Sequence, residues 1–142
     1  MAKMNKWQVY VIAISLFIHL AAAARVEGIT EEKTVKISNH LLIGDTLTVH
    51  CKSKNDDLGV QTLPPYSSWS FKFRPAVFGT TLFFCNFKWG KESHWFNIYD
   101  DNRDGPRNEH PCVLCLWNIY PSLACKFDGI DLKYNLCYDW NK

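Results

Sequence analysis

Apolar and polar residues alternate with a period of two over most of the chain after residue 35. The pattern is clearest in residues 80–89, where Phe83, Cys85, Phe87 and Trp89 occupy alternate positions. Successive side chains of a strand point to opposite faces of a sheet, so this alternation predicts a half-buried strand rather than a helix. The segments between such stretches are rich in Gly, Pro, Asn and Asp, which favour turns.

The pattern predicts seven or eight short strands in all. They cover residues 35–40, 46–51, 60–63, 68–73, 80–89, 94–99, 113–120 and 134–140. No ten-residue window after Arg25 has a helical period. Short strands at this spacing are typical of an all-β sandwich, which is the predicted fold class, and the pattern alone also allows a small barrel.

The beginning of the chain has the features of a cleavable signal peptide. A basic start precedes the apolar run Val9–Leu20, and the four alanines at 21–24 follow it. The run is shorter than the roughly 20 apolar residues of a membrane span, and small residues at 22 and 24 fit the usual cleavage rule. We therefore predict cleavage before Arg25 and a secreted, extracellular protein that is not membrane-embedded, with an uncleaved membrane anchor as the alternative.

These observations divide the chain into three parts. Residues 1–24 are the predicted signal peptide, residues 25–34 are polar and predict a flexible leader, and residues 35–142 form a single predicted domain. Without Lys3 and Lys6 the chain has equal numbers of basic and acidic residues, 14 of each. A neutral domain argues against non-specific nucleic-acid binding, which depends on a basic surface.

Cysteine usage predicts a disulfide-stapled domain. All six cysteines follow the cleavage point, and in a short exported chain this number indicates three intramolecular disulfides. We expect one pair between Cys51 and Cys137, which lie on the first long strand and the last. In a straight strand Cys112 and Cys115 would have Cα atoms roughly 10 Å apart, too far for a disulfide. Either a turn brings these two together or each has another partner; zinc binding and thiol redox chemistry are the alternatives.

No segment predicts a catalytic, metal or cofactor site. Residues 100–105 match the start of a calcium-binding EF-hand loop, but its twelfth position is Pro111 where a bidentate Glu is required. A structural turn is the better interpretation. The four histidines of the mature chain are isolated from one another in sequence (His40, His50, His94 and His110). The alternating aromatic residues are typical of a sandwich core, with a sugar-binding face as the alternative.

Six segments together resemble the plant self-incompatibility S-proteins and their homologues. They follow the order of that family and cover nearly all of the predicted domain: Val35–Asn39, Leu47–Gly59, Trp69–Pro75, Phe78–Cys85, His94–Asp104 and Cys137–Trp140. The resemblance implies a small secreted β-sandwich, immunoglobulin-like in outline, with the family's cysteines at Cys51, Cys85, Cys125 and Cys137. Cys112 and Cys115 are additional to that set, which leaves the pairing open.

The resemblance also implies a function. The founding members are ligands secreted by the stigma and recognised by a membrane receptor on incompatible pollen, whose growth is then arrested. We therefore expect a monomeric, non-enzymatic protein of cell–cell signalling whose partner is a cell-surface receptor or another membrane protein. A secreted carbohydrate-binding or hydrolytic protein, using the aromatic and histidine residues, is the alternative.

Receptor recognition is expected in the loops, because the strands of a sandwich form a rigid scaffold and binding residues concentrate between them. Two loops, residues 52–59 and 100–108, are long and contain opposite charges close together. We predict that Arg103, Arg107 and Glu109 contact the receptor. On this prediction, replacing all three by Ala abolishes binding and leaves the fold intact, because no core residue is changed.

Overall fold

A computed structural model describes residues 2–29, 31–42 and 44–142, without the side chains of residues 22–29. The chain forms two compact units, Met1–Glu31 and Glu32–Lys142. In the first unit, helix α1 spans Lys6–Ile29 and contains the apolar run. The predicted cleavage point before Arg25 falls within this helix, and residue 30 of the predicted leader lies outside the described residues. Among the residues described, no helix is both long and apolar enough to cross a membrane.

The second unit is a sandwich of two β-sheets, as the alternation predicts. In the described residues it contains nine strands and a short helix: β1 Lys33–Asn39, β2 Leu47–Lys52, β3 Asp57–Leu63, β4 Ser68–Phe73, β5 Leu82–Trp89, β6 Glu92–Asp100, α2 Asp101–Asp104, β7 Leu114–Ile119, β8 Leu123–Asp128 and β9 Lys133–Asp139. The sequence pattern identifies eight of these strands and misses β8. Strand β1 begins at Lys33, inside the predicted leader.

One sheet has five strands in the order β4-β1-β7-β8-β9, and the other has four in the order β3-β2-β5-β6. Every neighbouring pair is antiparallel except β1 and β7, which run parallel. The chain passes between the sheets after β1, β3, β4 and β6. Four of its connections therefore cross between layers, as in other β-sandwiches.

The core lies between the two sheets and is rich in aromatic residues. The face of β5 that the sequence predicts to be buried is buried, with Phe83, Cys85, Phe87 and Trp89 all inside. Trp117 of β7 is fully buried and packs edge-on against Phe96 of β6. The interpretation of the alternating aromatics as core is therefore confirmed for these positions.

Three disulfides pair the six cysteines, so the predicted number is confirmed. The pairs are Cys51–Cys85, Cys112–Cys115 and Cys125–Cys137. The expected Cys51–Cys137 pair is wrong, because these residues lie in different sheets and each has a cysteine directly opposite it on the neighbouring strand.

The Cys112–Cys115 pair answers the question that the spacing left open. Cys112 lies before the start of β7, and a turn brings its Cα atom to 5.2 Å from that of Cys115. All six cysteines are bonded in pairs, so none of them is a free thiolate that could bind zinc.

The C-terminal residues fasten the five-stranded sheet to the edge of the four-stranded one. After β9, Trp140 stacks on His94 with ring centroids 5.1 Å apart and also packs against Phe87. The backbone N–H of Asn141 then donates to the carbonyl oxygen of Trp95, 2.8 Å away. Trp95 belongs to the edge strand β6, so the tail covers part of an edge that is otherwise free to pair.

Candidate functional site

Three loops meet at one end of the sandwich, and we call this the loop end. They are residues 53–56 between β2 and β3, residues 74–81 between β4 and β5, and residues 101–113 between β6 and β7. Strand register places them together: Lys52 lies opposite Phe84, and Leu82 lies opposite Asp100. Both of the loops predicted for recognition are therefore at this end. The 74–81 loop, which has a single charged residue, is not among the loops that the charge pattern indicates.

The base of the 101–113 loop is held by hydrogen bonds to carboxylates. The side chain of Asp100 caps α2 by accepting from the backbone N–H of Asn102. Asp101 accepts from the N–H of Thr81 at 2.7 Å and thereby ties this loop to the 74–81 loop. A side chain at Gly105 would place its Cβ 2.5 Å from the carbonyl oxygen of Asp101, so only glycine fits there. Residues 101–104 thus form a single helical turn that Asp100 caps and Gly105 ends.

A buried ion cluster lies under this loop. Asp104 is fully buried, and its carboxylate accepts from Arg103 at 2.6 Å and from Lys126 at 2.5 Å. Lys126 is only 1% exposed, and it also donates to the carbonyl oxygen of His110 at 2.9 Å. Buried charges are tolerated when they are paired and hydrogen-bonded in this way. The cluster therefore joins α2, strand β8 and the second half of the loop.

Arg103 packs against the core, and its side chain is only 20% exposed. Its guanidinium lies about 5 Å above the rings of three aromatic residues, Phe96, Trp117 and Tyr138. It also donates to the carbonyl oxygen of Asn97 at 2.8 Å. The expectation that replacing Arg103 touches no core residue is therefore wrong. The charge of the neighbouring residue, Asp104, draws the arginine inward, where it covers the aromatic cluster.

Arg107 and Glu109, the other two predicted recognition residues, are exposed. Asn108 lies between them, and its side chain donates to the carbonyl oxygens of Asp101 and Gly105. The loop backbone is thereby fixed while the two neighbouring charged side chains remain in solvent. His110, the next residue, approaches Asp128 at 3.6 Å.

The other predicted loop is shorter than expected, because β3 begins at Asp57 rather than at Val60. The N–H of Gly59 donates to the carboxylate of Asp57 and lowers the pKa of that group, and the side chain of His50 lowers it further. Asp57 accepts from His50 at 2.7 Å. This leaves residues 53–56 as the turn, closed by a hydrogen bond from the N–H of Ser53 to the carbonyl oxygen of Asp56.

Burial raises the pKa of Tyr99 far above its usual range, and the neighbouring carboxylate of Asp101 raises it further. The phenol therefore stays protonated and donates to Asp101 at 2.8 Å. Together with the Thr81 contact, this hydrogen bond uses both oxygens of Asp101 within the fold. The acidic residues at the start of α2 are thus structural.

The histidines of the four-stranded sheet do not converge on a common cleft. His50 lies opposite Asn86, whereas His94 lies opposite the buried Phe87 on the next position of β5. Directly opposed residues share a face, so the two rings lie on opposite faces of this sheet. Within the part of the chain that the structure describes, no group of three or more His, Cys, Asp or Glu side chains could hold a metal ion.

These features define a disulfide-crosslinked β-sandwich with a rigid, charged loop end. The chain matches the family model of "Plant self-incompatibility protein S1" over residues 34–140. It is 49% identical to S-protein homolog 4 of Arabidopsis thaliana, over 99% of this chain and 97% of that protein. S-protein homolog 3 of the same plant is 45% identical, with the same coverage of both chains. The chain therefore belongs to the plant self-incompatibility S-protein family.

A solved structure agrees with the fold. It is described as an SPH (self-incompatibility protein homologue) protein, from a widespread family of small, highly stable, secreted plant proteins. The two chains are 20% identical with a TM-score of 0.53, over 80% of this chain and 97% of the other. At this identity the likeness shows the fold alone. The predicted extracellular location is confirmed by membership of a secreted family, and three disulfides are typical of that compartment.

Proposed function

We propose that this protein is a non-enzymatic extracellular signal, acting as a monomer, that a cell-surface receptor or another membrane protein recognises through the loop end. Family membership supports a role in recognition between cells. The sandwich supplies a scaffold on which loops can differ in sequence without a change of fold. Three disulfides restrict that scaffold further.

The observation that carries this proposal is the contrast between buried and exposed charges in the 101–113 loop. Arg103 and Asp104 stabilise the loop from below, and Arg107 and Glu109 stand in solvent on the rigid backbone that results. A fixed backbone lowers the entropy that is lost when a partner binds. Adjacent opposite charges favour one complementary surface over bulk electrostatic attraction.

The alternative, a carbohydrate-binding or hydrolytic protein, has less support. Hydrolysis by paired histidines requires the two rings to approach one substrate, but His50 and His94 lie on opposite faces of their sheet. Most aromatic residues of the alternating strands pack in the core. We therefore propose no enzymatic activity.

The proposed function is tested by competition between labelled and unlabelled protein for binding to the surface of plant cells. Labelled mature domain should bind saturably to plant cells that respond to it, and unlabelled wild type should displace it. The double variant Arg107→Ala/Glu109→Ala should compete at least tenfold more weakly and keep a native far-UV spectrum. The matched control is Lys91→Ala/Asp139→Ala, which removes one exposed charge of each sign far from the loop end. This control should compete like wild type.

Two results would contradict the proposal. Absence of saturable wild-type binding to every plant tissue tested would reject a cell-surface partner. Equal competition by the double variant and wild type would remove Arg107 and Glu109 from the recognition surface. Arg103 is left unchanged in this experiment, since its replacement would disturb the fold.

A further inference from the structure

A groove of about 960 Å³ lies at the loop end, between the 53–56 and 74–81 loops. Its walls come from both sheets. The five-stranded sheet contributes the end of β4, and the four-stranded sheet contributes the start of β3 and the start of β5. The groove is separate from Arg107 and Glu109, which do not line it. It is therefore a second feature of the same end of the molecule.

The charged residues that line the groove are predominantly basic. The lining includes three basic residues, Lys54, Lys72 and Arg74, and one carboxylate, Asp56. Asp56 is engaged by its own turn, in which Ser53 donates to it. Outside the lining, Glu32 approaches Lys72 at 4.0 Å, but both side chains are largely exposed, so water screens this pair. Lys54 and Lys72 therefore offer cationic groups that suit an acidic partner.

The groove is also lined by apolar and aromatic side chains. Four of them are Leu58, Phe73, Leu82 and Phe84. Another, Phe78, is 92% exposed. Exposed aromatic residues of this kind are frequent anchors in protein interfaces.

The loop that holds Phe78 is anchored at its base. The hydroxyl of Thr81 accepts from the N–H of Ala76 at 2.8 Å, and the N–H of Thr81 donates to Asp101 at 2.7 Å. Phe78 is therefore presented from a braced loop. The brace also connects the groove to the 101–113 loop through Asp101.

We propose that this groove binds an acidic peptide segment of the partner, with the segment's carboxylates beside Lys54 and Lys72 and an apolar side chain packed against Phe78. The inference rests on the proposed function and specifies which chemistry the partner presents. Lys54 and Lys72 favour an acidic segment because opposite charges attract. The apolar lining and the exposed Phe78 favour a segment that also has an apolar side chain, as a peptide has and a uniformly polar chain has not. A receptor could thus contact two adjacent surfaces of the loop end.

A synthetic peptide, acetyl-Glu-Glu-Leu-Glu-Glu-amide, tests the proposal by nuclear magnetic resonance titration of the mature domain. We expect amide shifts concentrated in residues 53–56 and 74–81, and binding that weakens as salt is raised. Lys54→Glu/Lys72→Glu should weaken binding at least tenfold, whereas Lys88→Glu, an exposed cation on β5 outside the groove, should not. The Lys-Lys-Leu-Lys-Lys peptide should not bind.

Phe78→Ala separates the apolar contribution from the electrostatic one. It should weaken peptide binding severalfold, and Leu42→Ala, which removes an exposed apolar side chain in the loop between β1 and β2, should have no effect. An acidic oligogalacturonide is the competing ligand. If the oligogalacturonide binds more tightly than the peptide, and Phe78→Ala leaves its affinity unchanged, the groove is a polysaccharide site and the proposal is wrong. Shifts outside the groove would also overturn it.

Failure of this inference can be distinguished from failure of the proposed function. If Phe78→Ala and Lys54→Glu/Lys72→Glu leave cell-surface competition unchanged while Arg107→Ala/Glu109→Ala weakens it, the groove proposal is wrong and the function stands. If the wild type has no saturable cell-surface binding, the proposed function is wrong. Weakened competition by both groove variants, with unchanged competition by Lys88→Glu, supports the groove.

Discussion

Replacing Arg103 by Ala should destabilise the domain strongly, even though the residue lies in a predicted loop. The side chain is 20% exposed and pairs with Asp104, which is fully buried. The change removes the ion pair, the hydrogen bond to the carbonyl oxygen of Asn97 and the contact with three aromatic rings. Asp104 would retain Lys126 as its only cationic partner among the contacts described here.

The size of the effect follows from these contacts. Removing one partner of a buried ion pair costs about 3–5 kcal/mol, largely because the remaining charge stays buried. The stacked rings add a cation–π contribution of roughly 0.5–2 kcal/mol, which overlaps with that range. Because water reaches part of the guanidinium, we expect the lower end, about 3 kcal/mol. For a domain of this size, such a loss lowers the midpoint of thermal unfolding by roughly 12 °C.

Urea unfolding with the disulfides intact measures this difference, and tryptophan fluorescence reports it because Trp117 lies beneath Arg103. Arg103→Lys keeps the charge without the planar fork and should lie between wild type and Arg103→Ala. Arg107 lies four residues after Arg103 and is exposed, so Arg107→Ala should change the free energy of unfolding by less than about 0.5 kcal/mol. A loss below about 1 kcal/mol for Arg103→Ala would refute the structural role of this residue.

Three further predictions concern the stability of the domain, and a fourth concerns its N-terminus. Trp140→Ala should cost about 2–3 kcal/mol in chemical unfolding, whereas the half-exposed Trp95→Ala should cost less than about 1 kcal/mol. Replacing each disulfide by a Ser pair should cost most for Cys51–Cys85, less for Cys125–Cys137 and least for Cys112–Cys115, because their sequence separations are 34, 12 and 3. Chain entropy gives losses of about 3.8, 2.8 and 1.6 kcal/mol, and equal losses would contradict this ranking. The pKa of Asp57 is lowered in the folded protein from its ordinary value of 3.8, so the ionised carboxylate stabilises the fold fully above that value. This stabilisation is lost as pH falls through the lowered pKa. The stability difference between wild type and Asp57→Asn should therefore shrink from about pH 5 to about pH 2. N-terminal sequencing of secreted protein should begin at Arg25, and a start at Met1 would contradict the predicted cleavage.

The sequence allowed the sandwich to be predicted because period-two patterning is a local signal. Residues 82–89 show this most clearly: their buried face is the one that the alternation indicates. Strand β8 was missed because its burial is not periodic, and Ala124, Cys125 and Lys126 are all buried in succession. A lysine in such a run suggests solvent exposure, and only its partner explains why it is inside.

The partner of Lys126, Asp104, could not be identified from the order of residues in the sequence. Asp104 and Lys126 are 22 residues apart, and their contact depends on how β7 and β8 pair beyond the 101–113 loop. The same limit explains why Arg103 was assigned to the surface. Alternating charges in a polar loop are typical of a solvent-exposed segment. No signal in the neighbouring sequence distinguishes Arg103, whose side chain turns inward, from Arg107, whose side chain is exposed.

The loop end itself was predicted in part. Both loops chosen from their charge patterns lie there, whereas the 74–81 loop contains a single charged residue, Arg74, so the charge pattern does not indicate it. Gly79, with φ of +86°, and the nearby Pro75 are the signals that Phe78 lies in a turn. Only the pairing of the strands shows that the three loops are adjacent.

Hydrogen exchange of the mature domain bound to membranes of a responsive plant tissue tests the central claim most directly, since it locates the recognition surface without substitutions. We predict that binding slows exchange in residues 53–56, 74–81 and 105–110, and leaves the loops at the opposite end of the sandwich, residues 40–46, 64–67 and 120–122, unchanged. Protection confined to the opposite end, or to the outer faces of the sheets, would contradict the account.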